Sequence, residues 1–390
     1  MKISIIGAGI GGLTTAVFLQ KMGMSVKVFE QSKEIKAVGA GLVLAHNAMQ
    51  AFERFGLSRP LLRLGNVLTS ANIRTEQLTN ISTLDYEVFD DKYGTNCIAI
   101  ERSKLQQLLV EQLEPNTIIL NKKIEQVFGR DRLSLVFSDG EISHCNALIA
   151  ADGIKSVIRD KVFEEKALRK TDQICWRGVS DIDLPSKFDK QLNELWGIGS
   201  RFGFVELSNK KVYWYGLHHK NEKLVKEHLK DYFSNYTPVV KKIISSTKFE
   251  NIFKSEIMDL KVLPCWYLNN VCLLGDAAHA TTPNLGQGAC QAIEDAYVLS
   301  HCLGNYSLEK AFKIYQSLRK NKADRVTLIS RNMGLISQLK NPVLSRFRDS
   351  IFRSVPNRLN VYQFEKIFNL TEVPSKKGKH NKRFKPDSQR

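Results

Sequence analysis

Two rhythms of apolar and polar positions divide this chain. Ile3–Ile6 is a short, unbroken, β-branched run that reads as a buried strand, and Val26–Phe29 is a second. Between them Leu13, Ala16, Val17 and Leu19 recur at helical spacing. The same periodicity predicts helices over 47–55, 104–113, 222–232, 287–303 and 308–333. From 123 to 151 the rhythm turns to strands: Ile124–Phe128, Leu133–Phe137, a Ser138-Asp139-Gly140 turn, Ile142–Cys145 and Ala147–Ala150. That pattern suits a hairpin inserted into an α/β fold. Short strands also dominate 173–216, in "ICWRGV", "FGFVEL" and "KVYWYGL", which predicts a separate sheet. The run 271–274 is another buried strand of parallel-sheet character.

The turn after the first strand carries candidate chemistry. Gly7, Gly9 and Gly12 stand in G-x-G-x-x-G register, and the second strand ends in Glu30. The glycines provide a tight turn, close approach of a pyrophosphate, and close helix–strand contact. The helix N-terminus then points free N–H groups and a partial positive charge at the phosphates. Glu30 stands at the spacing that accepts hydrogen bonds from an adenosine ribose. The fold class that follows is α/β. A discontinuous Rossmann-like domain (1–75, 96–168 and 262–335) is interrupted by an antiparallel β-sheet substrate domain (76–95 and 169–261). A C-terminal helical segment (336–372) and a basic tail (373–390), expected to be disordered, complete the layout. A secretory leader is the rival reading of Lys2 and its apolar run, but the glycines break that run and no small-residue cleavage site follows.

Composition narrows the classes. No stretch of about 18 uninterrupted apolar residues exists to span a bilayer. The seven cysteines are scattered, odd in number and without a C-x-x-C pair, which predicts reduced thiols in a cytoplasmic protein and no metal site. His218 and His219 are adjacent in a predicted strand, so they face opposite ways and cannot share a metal. The net charge is +17, but no nucleic-acid-binding pattern accompanies it. Solubility, or attraction to anionic ligands or membrane surfaces, is the favoured reading.

Two further segments add to the glycine turn. In "ALIAADGIKSVIRD" a strand runs into Asp152-Gly153. In "VCLLGDAAHATTPNLGQGACQAIEDA" a strand runs into Gly275-Asp276, then Pro283, Gly286, Gln287, Gly288 and Ala289 open a helix. An Asp at the C-terminal end of a parallel strand can bond ligand hydroxyls; the rival reading of Asp276 is a helix N-cap. The three motifs together resemble the FAD-dependent aromatic hydroxylases, the single-component flavoprotein monooxygenases of the p-hydroxybenzoate hydroxylase fold. "GAGLVLAHNAMQAFERFGL" and "IERSKLQQLL" extend the likeness over most of residues 1–335. Within that family the salicylate hydroxylase, urate hydroxylase and zeaxanthin epoxidase branch is the most similar.

The resemblance implies FAD as cofactor, with NADPH or NADH a transient co-substrate; a second nucleotide fold is not evident, since "GIGSRFG" has the wrong spacing. It implies cofactor contacts at Gly7, Gly9, Gly11, Gly12, Glu30, Gly41, Leu42, Arg102, Asp152, Gly153, Asp276, Pro283, Gly286, Gln287, Gly288 and Ala289. It also implies delivery of one oxygen atom of O2, through a flavin C4a-hydroperoxide, to an aromatic, heteroaromatic or polyene small molecule. Candidate pocket walls are Trp176, Arg177, Arg201, Tyr213, Trp214 and Tyr215, with Arg201 and Tyr213 as the candidate catalytic pair. Arg201 matches a position where urate-type enzymes use an arginine on an acidic ring; the alternative is a strand-pairing residue. Relatives commonly have proline where Glu206 stands, and a carboxylate facing the pocket there would disfavour anionic substrates.

Two other readings on related folds remain, a non-oxygenating flavoprotein reductase or halogenase and a non-catalytic FAD- or prenyl-binding protein. The W-x-W-x-I signature of halogenases is absent, and the prenyl-binding Rab escort proteins share only the first glycine motif. Downstream, Val343, Leu344, Phe347, Ile351 and Phe352 form one helical stripe, with Arg346, Arg348 and Arg353 off it. Docking of that stripe on the flavin domain is the favoured expectation, and peripheral contact with an anionic membrane the alternative.

Overall fold

Strands far apart in sequence meet edge to edge. In the computed structural model, which describes residues 1–35 and 40–374, Ile3–Ile6 pairs in parallel with Val26–Phe29 on one side and Ala147–Ala150 on the other. Val271–Leu273 pairs in parallel with Ala147–Ala150. The six-stranded sheet runs 267–268, 271–273, 147–150, 3–6, 26–29, 118–119. Its register aligns Ile6, Ala150 and Leu273. The chain therefore leaves all three strands at the same C-terminal end of the sheet, and with strands about 4.8 Å apart the three loops open side by side within roughly 10 Å. Gly39 and residues 375–390 of the basic tail lie outside the described residues.

The second sheet has seven strands, in the order 253–260, 168–181, 211–219, 201–206, 191–196, 70–75, 80–85. It takes up Ser70–Thr75, which the division at residue 75 had left with the first domain. The helix Glu87–Tyr93, expected to belong with the sheet, instead sends Phe89 into the core of the parallel-sheet half. Only the hairpin 70–85 crosses over.

Strand pairing assigns the faces of this sheet. Glu194, Gly203, Tyr215 and Arg177 are successive partners across four strands, and Trp196, Arg201, Leu217 and Cys175 form the next row on the same side. Val205, Tyr213 and Val179 make a third row, and they pack against the core of the parallel-sheet half. This side faces the first domain. The opposite side carries Trp176, Phe202, Phe204 and Trp214, buried in a separate core with Val240 and Ile243 of the helix Pro238–Ser245. Trp176 and Trp214 are therefore core residues and not pocket walls. Side chains alternate across a strand, so Glu206, of the same parity as Phe202 and Phe204, also points away from the first domain. Its nearest charges are Asp189, Asp183 and Lys210.

Two predicted helices come out differently. The 222–232 segment forms a turn at Glu222–Leu224, a short 3-10 stretch and then only the single helical turn Leu229–Tyr232. Glu222 is held as a tether, its carboxylate accepting the Tyr232 hydroxyl at 2.5 Å. The stripe on Pro342–Ser354 does not dock. Ser345, Arg348 and Asp349 are the buried residues of that helix, while Val343, Leu344, Phe347 and Ile351 face out. Arg348 explains the inversion. Its guanidinium lies 4.8 Å over the Trp196 ring and donates to the carbonyls of Ile336 and Ser337, closing the C-terminus of the helix Leu308–Ser337. Asp349 pairs with Arg348, and only Phe352 turns inward, edge-on to Trp196.

Candidate functional site

The glycines of the first turn have distinct surroundings. A Cβ on Gly7, which has φ +103°, would lie 2.4 Å from the Ala151 carbonyl oxygen, so the first turn rests directly on the second motif. A Cβ on Gly12 would lie 2.0 Å from the Gly7 oxygen. Gly11 faces Leu274 and Ala292, so its missing side chain admits the helix Gly288–Asn305 rather than opening onto the cleft. Gly9 has open space where a side chain would be. Glu30 closes the unit: its carboxylate accepts the Ala8 N–H at 2.7 Å and the Ser32 N–H at 2.9 Å.

Asp152 is divided between two tasks. Its Oδ2 accepts the N–H groups of Val157 and Ile158 at 2.8 and 3.2 Å, anchoring the helix Val157–Val162. Its Oδ1 is buried without a partner among the described residues, and burial raises the carboxyl above its ordinary range.

The third motif is built on a buried charge network that the sequence reading did not single out. Asp295 Oδ2 accepts the Gly275 N–H at 3.1 Å and faces His279 Nε2 at 2.5 Å, while Oδ1 takes Arg319 Nε at 2.8 Å. Burial pushes the Asp295 carboxyl up, but His279 and Arg319 together outweigh it and hold the group at about 2. Glu294 beside it pairs with Arg319 and Lys322 and accepts from Asn47. Two adjacent acids inside an apolar helical run were the available signal, because such a pair cannot be buried without cations.

Asp276, one residue past Gly275, makes none of these hydrogen bonds. It begins the single-turn helix Asp276–His279, whose cap is Gly275, so its side chain is not an N-cap. The carboxylate opens onto the cleft, about 4 Å from where a Gly288 Cβ would stand. Protein surrounds the open cleft closely enough that desolvation raises this carboxyl, against the opposing pull of His279 and Arg102. Arg102 is likewise open to the cleft; desolvation lowers its guanidinium and nearby Asp276 opposes that. The Arg102 N–H donates to Ala40 O, and Gly41 is shaped by the Tyr213 side chain, which a Cβ there would meet at 2.5 Å. Leu42 pairs in strand register with Ile100.

Pro283 and Gly286 are exposed at the cleft, and Gly286 takes φ +63°. Gln287 is buried, its amide oxygen accepting from Gln291, and the helix Gly288–Asn305 starts without a side-chain cap. The N–H groups of its first turn, Gly288 and Ala289 among them, are thus free of side-chain partners. The open positions at Gly9, Gly153 and Gly286, the orphan Asp152 Oδ1 and this uncapped helix start fit a bound dinucleotide with a negative edge.

Opposite lies the first-domain face of the seven-stranded sheet. Arg201 is fully buried there. Nη1 bonds Glu194 Oε1 at 3.1 Å, and Nη2 bonds Asn284 Oδ1 in the turn before Gly286. Tyr215 reaches the other Glu194 oxygen at 2.5 Å by laying its ring across Gly203, where a Cβ would collide with the ring at 2.0 Å. Trp196 Nε1 also donates to Glu194, at 2.7 Å. Burial raises the Tyr215 phenol well above its ordinary value, reinforced by Glu194, and raises Tyr213 to about 12. Both phenols are therefore donors at neutral pH. Arg177 lies on the same face beside Tyr213 and Arg102.

Comparison with known proteins agrees with this geometry. A family profile described as FAD binding domain matches residues 1–327. The aurachin C monooxygenase/isomerase of Stigmatella aurantiaca is 31% identical over 363 residues, covering 90% of this chain and 94% of the relative. The 2-heptyl-3-hydroxy-4(1H)-quinolone synthase of Pseudomonas aeruginosa is 30% identical over 384 residues, covering 94% and 98%. Among solved structures, Klebsiella pneumoniae HpxO complexed with FAD and uric acid superposes with a TM-score of 0.87 at 25% identity, over 95% of this chain and 97% of that one.

Proposed function

This chain belongs to the FAD binding domain family and is an FAD-dependent monooxygenase that uses NAD(P)H, and on that premise we propose that its substrate is an uncharged, electron-rich heteroaromatic molecule of the quinolone type. The observation that carries this reading is Glu194. It pairs with the buried Arg201 at the end of the sheet nearest the Asn284–Gly286 turn, so the guanidinium there brings no net charge to a ligand. An anionic ring such as a carboxylate or urate would meet the Glu194 charge along with that of Arg201. The names of the relatives that are about 30% identical support a heterocyclic substrate. Glu206 plays no part, since it lies on the opposite face.

When bound, FAD accepts the reducing equivalents of NAD(P)H and activates O2. The protein's own residues hold and shield it. Glu30 would take the adenosine ribose and Gly7 and Gly9 the pyrophosphate, with Arg102 and Asp276 on the ribityl–phosphate side. The Gly286 N–H is given to the Pro283 carbonyl at 2.9 Å, so the N–H groups of Gln287 and Gly288 would face the flavin edge that becomes negative on reduction, where a fixed positive helix end stabilises charge without rearrangement. On the sheet, Tyr213 remains protonated and can donate to a substrate oxygen, whereas the Tyr215 hydroxyl is given to Glu194. Val179, Leu192, Val205 and Leu217 give that face an apolar floor that excludes water.

The test is a panel of 4(1H)-quinolones, salicylate and urate with the purified holoenzyme, scored by stimulated NAD(P)H oxidation and by product mass increased by one oxygen. The quinolones are expected to stimulate and the anions not. In Glu194→Gln, salicylate binding, read from the flavin absorbance change, is expected to tighten by about tenfold as the Arg201 charge loses its counter-ion. Wild-type preference for salicylate or urate would overturn the reading.

A further inference from the structure

The helix Pro342–Ser354 is amphipathic with its apolar face outward. Val343, Leu344, Phe347 and Ile351 are 72, 51, 64 and 48% exposed. Leu335 on the preceding helix and Leu359 on the next, Asn357–Phe368, are also exposed, at 64 and 53%. Phe347 and Ile351 line a shallow groove of about 470 Å³ that continues to Val355 and Pro356. Isolated exposed apolar residues need no explanation, but four on one face of a single helix do. The helix cannot roll to hide this ridge, because Arg348 and Asp349 fasten the other side.

The charges around the ridge favour one kind of occupant. Arg346 and Arg358 are exposed beside it, Arg353 gives its Nε to the Asn80 carbonyl at 3.1 Å on the sheet side, and Lys340 stands at its start near Glu222. The only carboxylate on the helix, Asp349, is turned inward onto Arg348. Residues 375–390, outside the described residues, add seven Lys or Arg against one Asp. A second copy of this chain would bring like charges together around any symmetric contact at the ridge. A lipid surface with anionic headgroups offers both an apolar interior and the opposite charge.

We propose that the ridge formed by Val343, Leu344, Phe347 and Ile351 docks the enzyme in the plane of an anionic membrane, its apolar side chains at the acyl boundary and Arg346 and Arg358 among the headgroups. No helix among the described residues is long and apolar enough to cross a membrane, so the contact is peripheral. The inference is independent of the substrate reading above.

Full-length holoenzyme is mixed with vesicles of phosphatidylcholine alone or of phosphatidylcholine and phosphatidylglycerol in equal parts, then floated on a density gradient. Binding to the mixed vesicles only, weakened by salt, is expected. The double substitution F347S/I351S is expected to reduce that binding at least about tenfold, because two apolar side chains no longer enter the acyl boundary. NAD(P)H oxidation of the soluble enzyme should be unchanged, since neither residue touches the cleft. Arg346→Glu should weaken binding to the anionic vesicles as well. Equal flotation of F347S/I351S and wild type would assign the affinity to the tail and overturn the proposal. So would absence of vesicle binding, or a dimer in light scattering that F347S/I351S abolishes.

Discussion

Asp276 and Asp295 stand on opposite sides of one glycine, and their charges are governed in opposite directions. Asp295, beneath the Gly275 turn, is enclosed by His279 and Arg319 and held at about 2. Asp276, on the cleft side, has no hydrogen-bond partner among the described residues and is raised by desolvation. Desolvation acts on both, so it alone does not set ionisation; the fixed partners do. The core side is a finished electrostatic structure that braces the turn. The cleft side is left incomplete, and a ligand hydroxyl is the kind of group that completes it.

Removing a partner from the finished side should have the largest effect. Arg319→Met is expected to cost about 3–5 kcal/mol in chemical denaturation at neutral pH, because it strands Glu294 and Asp295 as buried charges. The pH dependence sharpens this. The carboxyl of Asp295 is depressed in the folded protein, so its stabilisation is present above the unfolded value of about 4 and is lost as pH falls toward 2. The stability gap between wild type and Asp295→Asn should therefore close across that window, and a constant gap would contradict the ion-pair account.

The incomplete side should respond differently. Asp276→Asn is expected to weaken FAD binding about ten- to hundredfold in a fluorescence titration. The apoprotein should keep its stability or gain slightly, since an unpaired carboxylate in a confined site is removed. A loss of apoprotein stability comparable to that of Arg319→Met would erase the distinction between the two sides. The smallest effect belongs to Glu206→Gln, within about 0.5 kcal/mol in stability and with no change in ligand preference. If it altered the preference for charged ligands as Glu194→Gln is expected to do, the assignment of sheet faces would be wrong.

The three glycine motifs were legible in the sequence because each couples a backbone requirement to a fixed spacing. Gly7 must adopt a positive φ against Ala151, and no other residue does so without strain. The strands that converge at one end of the sheet were legible as short apolar runs. What sequence could not supply was strand parity. "ICWRGV" and "VYWYG" alternate large residues on both sides, so Trp176 and Trp214 looked as eligible for the pocket as Arg177 and Tyr213 until the pairing fixed their faces. Glu194 was overlooked for a related reason: in "QLNELW" the polar residues fall on both parities, and only its neighbours across the sheet reveal its position. The outward stripe of Pro342–Ser354 was misjudged because amphipathicity locates an apolar face without saying whether it finds a cover. There the bonds of Arg348 to the preceding helix decided the matter.

The absent side chain at Gly203 gives the Tyr215 ring its path over an intervening strand to Glu194. A methyl group added there would push the phenol off its acceptor and leave the carboxylate to Arg201 and Trp196. Selectivity among ligands could thus be retuned in this lineage from a position buried beneath a tyrosine, through a change that introduces neither charge nor a new contact in the cleft.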